Sequence, residues 1–255
     1  MIRALAGLLA ALICLSAGIT AHASEGGEPL PDISWTFDGP TGTYDRAALQ
    51  RGYKIYREVC SSCHSMKLLY YRNLEALGYN EAQIKNIAKE YTYIDGPNDE
   101  GDMFERPGLP SDPFKSPYEN DKQGAAANNN ALPPDLSLMA KARVGGPDYI
   151  FALLTGYEEH PPEGHHLLQG QHWNRFMSGN VIAMAPPLVE DQVAYEDGTP
   201  QTLEQYAKDV SHFLMWAADP YMEDRKRTGI KVILFLLVFA GIMYAYKKKV
   251  WKDAH

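Results

Sequence analysis

Residues 60–64 read Cys60-Ser61-Ser62-Cys63-His64, and no other feature limits the folds open to this chain as strongly. Cys-x-x-Cys-His is the spacing that attaches a c-type haem. Two thiols add across the two vinyl groups of one porphyrin, so both must reach the same edge of the macrocycle. The adjoining His64 then lies under the ring and offers the iron its proximal nitrogen. A chain with this motif must wrap a large apolar disc. The chemistry it supports is single-electron transfer or small-ligand binding at iron.

A Cys-x-x-Cys pair can also be a redox dithiol or half of a zinc site. The dithiol belongs beside a βαβ pattern, and none is visible. A zinc site needs a second pair of donors at close spacing. The only other cysteine is Cys14, in a segment that reads as removed, and the candidate histidines are His160, His165, His166 and His172.

Residues 1–23 read as a secretory signal peptide: Arg3, an apolar run over residues 4–19, then Ala21-His22-Ala23 as a small-x-small cleavage site. Export would leave Cys60 and Cys63 as the only thiols, both taken by the haem, in an oxidising compartment. Residues 24–224 form the exported haem domain. Residues 225–255 hold a membrane anchor at about 230–246, interrupted only by Lys231, and a short tail. Four basic residues flank the span on each side, so charge does not orient it. The signal peptide does, and leaves the C-terminus cytoplasmic. Over residues 24–224, 31 acids face 15 bases. Such a surface excludes nucleic acid as a partner and favours a basic soluble protein.

The haem domain reads as mainly α. Residues 24–43 look like an extended arm. A helix starts at Asp45, carries Leu49, Tyr53 and Tyr56 on one face, and delivers the haem motif at its end. Gly52 inside it implies close approach of another helix. That partner is predicted to be the last helix of the domain, capped by Thr202, with Leu203, Tyr206, Val210, Phe213 and Leu214 as its stripe. Shorter helices are expected over residues 80–88 and 148–156, the latter with Tyr149, Ile150 and Leu153 inward. Residues 93–134 and 160–178 read as long loops, with no strand-rich region.

The sixth iron ligand decides function, since methionine there raises the potential and closes the site. Met66, Met103, Met139, Met177, Met184, Met215 and Met222 are available. Met184 is the best placed, between small apolar neighbours and the stiff pair Pro186-Pro187. Its alternative is an ordinary core residue. His165, His166 and His172 lie in polar surroundings and read as surface groups. Arg143 either pairs with a haem propionate or is a plain surface cation.

At this point the residues resemble a known family, cytochrome c1, the c-haem subunit of the cytochrome bc1 complex, in its bacterial type. The likeness rests on Val59 to Met66 around the haem motif, Gly101-Asp102-Met103-Phe104-Glu105-Arg106-Pro107-Gly108, and Ala127-Asn128-Asn129-Asn130-Ala131-Leu132-Pro133-Pro134-Asp135. It continues through Arg143 to Tyr157, Met184-Ala185-Pro186-Pro187, Asp209 to Ala218 and the anchor. The resemblance implies a class I c-type cytochrome fold, with long loops wrapping one covalently bound haem c and one C-terminal transmembrane helix. It implies Cys60 and Cys63 as attachment points and His64 and Met184 as axial ligands. Arg143 and Tyr149 would bond a propionate, and Pro133, Pro134 and Asn128 would belong to the haem pocket. It implies cytochrome b and a Rieske iron–sulfur protein as partners within the complex, and a soluble basic cytochrome c or similar acceptor. The chain would be a redox carrier without substrate turnover of its own. Some bacterial members carry an extra cysteine pair near the axial methionine. Here there is none, so Met184 is expected to be held by Pro186, Pro187 and packing alone. Two other readings, an oxidase-type membrane cytochrome and a haem sensor or peroxidase with an open iron, lack these motifs.

Overall fold

The computed structural model describes residues 28–253. The signal-peptide reading, with Cys14, lies outside them. The chain is mainly helical, as expected. In order it contains α1 (Arg46–Glu58), α2 (Glu81–Lys89), β1 (Thr92–Asp95), β2 (Phe104–Pro107) and α3 (Asp121–Ala127). Then follow α4 (Met139–Ala142), α5 (Pro147–Thr155), β3 (Tyr157–Glu158), β4 (His172–Asn174), β5 (Val181–Ile182), α6 (Leu203–Ala218) and α7 (Met222–Val250).

The α1/α6 crossing organises the core. The Asp45 carboxylate caps α1 by accepting from the Ala47 and Ala48 amides. Leu49, Gly52, Tyr53, Ile55 and Tyr56 then lie buried on one face. The expected meeting at Gly52 is present. A Cβ on Gly52 would stand 2.1 Å from the Asp209 carbonyl oxygen and 2.6 Å from the Phe213 Cβ. Next to this contact the Arg51 guanidinium donates twice to Asp209, at 2.8 and 3.0 Å. Asp209 is 1% exposed and also accepts from Tyr195 and Gln205. Its full set of partners makes burial of that charge tolerable.

The stripe predicted for α6 is too narrow. From Asp209 to Ala217 every residue is buried, because other elements cover the side facing away from α1. One is the arm before α1, which is more than a linker. Trp35 and Phe37 are buried and pack against the His212 ring, Phe37 with its centroid 4.9 Å away. Burial, the dominant influence, pushes His212 down to about 4. Its neutral Nε2 accepts from the Asp45 amide at 3.2 Å and so ties the cap of α1 to α6.

Residues 93–134 are less irregular than expected. β1 and β2 form an antiparallel hairpin, with Tyr93 opposite Arg106. Arg106 bonds Asp95 and, through both terminal nitrogens, Asp112. These ion pairs are not local, which is why alternation of side chains did not reveal the strands. The polar loop at residues 160–178 likewise contains β4, the middle strand of a small sheet ordered β3-β4-β5. Within α5 the inward residues are Ile150, Ala152 and Leu154. Tyr149 and Leu153 are only half-buried.

α7 is 29 residues long, about 44 Å at the helical rise, and longer than the span read from sequence. Its 18-residue apolar window has mean hydropathy 2.1 and none of it is buried. Its first turns are fastened to the haem domain. Glu223 bonds the Tyr44 amide at 2.7 Å and pairs with Arg46 at 2.8 Å. Lys226 Nζ donates to the carbonyls of Phe37 and Gly42.

Candidate haem site

The haem motif sits where α1 runs out. Val59 closes the helix, Cys60–Ser62 turn as a short 3₁₀ segment, and the Cys63 and His64 amides both donate to the Cys60 carbonyl, at 3.2 and 2.9 Å. Ser62 caps back onto the Val59 carbonyl at 2.7 Å. One tight turn therefore carries both thiols and the imidazole. Met66 and Leu69, both buried, root the chain in the core beyond it.

His64 Nδ1 lies 2.8 Å from the Pro134 carbonyl oxygen. A carbonyl can only accept, so Nδ1 carries the proton and Nε2 keeps its lone pair. A buttress of this kind fixes ring orientation and raises ligand basicity. Burial, the largest influence, lowers the His64 pKa, against the opposing effects of Pro134 and Asp135. Burial therefore favours the neutral ring over the charged one. Burial also pushes the Cys60 thiol up to about 12, with Cys63 adding to it, the reverse of a reactive redox dithiol. Among the described residues, no group of three His, Cys, Asp or Glu stands together as a metal site, so the zinc reading has no donor set there.

Pro134 is positioned by Asp135, a residue that sequence reasoning did not single out. Asp135 accepts from Ser65 Oγ at 2.8 Å, the Lys67 amide at 2.9 Å and the Ser137 amide at 2.9 Å. Burial disfavours this carboxylate, but these bonds outweigh it and hold its pKa below the usual range. The Leu136 amide adds a bond to the Ser65 carbonyl. The proline loop is thus stitched to the residues just after the motif. On the same loop Leu132 and Leu138 are 46% and 50% exposed. The donor set, the oriented imidazole and these apolar side chains fit a covalent haem.

The other predicted residues are placed as follows. Met184 packs, half-buried, against the hydrophobic core, and its carbonyl accepts from the Tyr157 hydroxyl at 3.1 Å. The prolines are therefore not its only restraint. Tyr157 was not selected from sequence, since a lone tyrosine after Gly156 carries no local signal. It is aimed from β3, whose neighbour β4 ends at the fully buried Asn174. The Asn174 side chain donates to the Leu153 carbonyl and accepts from the Phe176 and Met177 amides. Tyr149 points its hydroxyl at Met177 Sδ, 3.6 Å away. Arg143 is exposed and makes no ion pair among the described residues. Pro133 adjoins the His64 buttress. Asn128 lies at the end of α3. Its amide donates to Tyr118 Oη at 2.9 Å and the Gly124 carbonyl at 2.8 Å, closing the end of α3. His165 and His166 are exposed and His172 is half-buried, and the His165 ring lies against Trp173.

Comparison with known proteins gives the same answer. Over 92% of its length the chain is 48% identical to the cytochrome b/c1 protein of Bradyrhizobium diazoefficiens, of which it spans 37%. It is 46% identical to cytochrome c1 of Rhodospirillum rubrum, covering 96% of both chains. It is also 46% identical to a mitochondrial cytochrome c1 heme protein of Arabidopsis thaliana, over 97% of this chain and 81% of that one. The family model described as the Cytochrome C1 family matches residues 35–254, so the chain belongs to that family.

Proposed function

We propose that this chain is the electron-transfer subunit of a cytochrome bc1 complex, with Cys60 and Cys63 holding one haem c and His64 and Met184 completing the iron. The observation that carries the reading is the His64–Pro134 contact at the end of the Cys-x-x-Cys-His turn. It supplies an oriented neutral imidazole in a chain of this family. When bound, a c-type haem supplies a one-electron iron couple. The protein's part is to fix both axial side chains, exclude water and present the site to its partners. Arg143, which pairs with no carboxylate among the described residues, is available to a propionate. Tyr149 stands one helical turn beyond the Gly145-Gly146 corner that follows Arg143. The partners fitting this role are cytochrome b, a Rieske iron–sulfur protein as donor, and a soluble basic cytochrome c as acceptor.

Residues 1–23 would be removed on export, 24–224 would form the haem domain on the periplasmic side, and the tail after the span would stay cytoplasmic. The unburied apolar helix α7 supports a single-pass membrane protein. The test of the whole reading is a redox titration of the purified holoprotein with visible spectra, followed by carbon monoxide. A low-spin spectrum, a positive midpoint and no carbon monoxide adduct are expected. A high-spin haem that binds carbon monoxide would mean an open iron and a different function.

Two further outcomes are expected. Tyr157→Phe removes one hydrogen bond from the Met184 loop, about 1 kcal/mol. Carbon monoxide association with the ferrous protein should then quicken roughly five-fold, while the global unfolding midpoint hardly moves. No change in that rate would remove Tyr157 from the support of Met184. Secondly, Asp99, Glu100, Asp102 and Glu105 are exposed on the β1–β2 hairpin. Changing all four to amides should slow reduction of a basic cytochrome c about ten-fold at low ionic strength and flatten its salt dependence. An unaltered salt slope would place docking on another face.

A further inference from the structure

Where α7 leaves the haem domain, an open cleft of about 340 Å³ remains that no function above uses. Its floor is apolar, formed by Trp35, Phe37, Met215 and Met222, all buried. Charged side chains of both signs line the cleft: Arg225 and Lys226 from α7, Lys141 from α4, Asp38 from the arm and Asp148 from the first turn of α5.

The cations are under-neutralised. Lys141 and Arg225 share one carboxylate, Asp219, at 3.2 and 2.6 Å. Among the described residues, Lys226 Nζ reaches only main-chain oxygens, those of Phe37 and Gly42. The two acids are bonded to one tryptophan. Asp148 accepts from Trp35 Nε1 at 2.6 Å and Asp38 from the Trp35 amide at 2.9 Å. Neither has a cation partner among the described residues.

Depth along α7 says what meets this cleft. The apolar stretch, broken once at Lys231, begins near Ile230. At 1.5 Å per residue, Lys226 stands about 6 Å outside it. The polar headgroup layer of a bilayer extends roughly 5–8 Å beyond each face of the hydrocarbon. The cleft therefore opens at the level of lipid phosphates and ammonium groups. An anionic headgroup would satisfy the cations and be repelled by the acids. A headgroup carrying both charges satisfies the two together.

We propose that this cleft binds the headgroup of a zwitterionic aminophospholipid. The phosphate lies against Lys141 and Lys226, the ammonium turns toward Asp38 and Asp148, and the glycerol rests on the Trp35–Phe37 floor. The proposal rests on α7 crossing a bilayer, which is checked separately by whether the protein stays with membranes after an alkaline carbonate wash.

The test is native mass spectrometry of the full haem-loaded chain in mild detergent, titrated in turn with phosphatidylethanolamine and phosphatidylglycerol. One phosphatidylethanolamine should be retained at a concentration about ten-fold below that needed for phosphatidylglycerol. Lys226→Gln and Asp148→Asn should each abolish that preference, while Lys248→Gln at the far end of α7 should not. Asp148→Asn keeps an oxygen for Trp35 Nε1, so it carries the test even if Lys226→Gln disturbs folding. Equal retention of the two lipids by the unaltered protein, or an undiminished preference in Asp148→Asn, would overturn the proposal.

Discussion

Replacing Met184 by leucine is expected to lower the midpoint potential by more than about 0.1 V, since axial ligand identity sets haem potentials over roughly 0.8 V. The same variant should bind carbon monoxide in the ferrous state. Leucine matches methionine in bulk but offers iron no electron pair. The thioether stabilises the reduced state, so its loss favours the oxidised one. Fold loss is a poor alternative explanation here. Met184 is only half-buried and packs at the margin of the core, where a Met-to-Leu exchange costs less than about 1.5 kcal/mol. Potentiometry with a carbon monoxide titration reads both consequences. An unchanged potential and an inert iron would show that another group completes the site.

The second large effect concerns folding. Glycine within a helix ordinarily costs about 1 kcal/mol against alanine, so propensity alone predicts that Gly52→Ala stabilises the protein. The crossing predicts the opposite. The new methyl would fall 2.1 Å from a backbone oxygen of α6 and 2.6 Å from the Phe213 Cβ. Neither neighbour is the end of a flexible side chain, so the two helices must part. Their separation would also stretch the Arg51–Asp209 bonds, and an unpaired buried carboxylate costs several kcal/mol. A net loss of about 3 kcal/mol is expected, lowering the thermal midpoint by roughly 6–12 °C for a domain of this size. A melting curve unshifted or raised would mean that α1 and α6 can slide apart at little cost.

What could be read ahead of the structure follows the range of the interactions involved. The haem motif is contiguous, so five residues declare it. The α1/α6 packing was legible because its two signals, a glycine in one periodic stripe and an apolar face on another, are each local. The β1–β2 hairpin was not. Its strands are four residues long and depend on Arg106 meeting Asp95 and Asp112. Asn174 was missed for a related reason. Asparagine usually marks a loop, and only the fold reveals that its amide gathers three backbone groups in the core. Within the candidate site, the motif proposes its own donors, but the parts that aim those side chains were not legible. Pro134 was expected near the haem, yet the role of its carbonyl in selecting the His64 tautomer needs the folded loop. Asp135 and Tyr157 act the same way, through distant backbone partners. Asn128, which the resemblance assigns to the pocket, also closes its own helix through its side-chain amide.

The fastening of α7 to the haem domain has a mechanical consequence. With Glu223, Arg225 and Lys226 all engaged before the apolar stretch begins, the anchor works as a mast and not as a tether. The height and tilt of the electron-carrying face above the bilayer are set by the helix itself. A carrier mounted in this way is a fixed station. Any journey that brings donor and acceptor within tunnelling range must be made by the molecules that visit it.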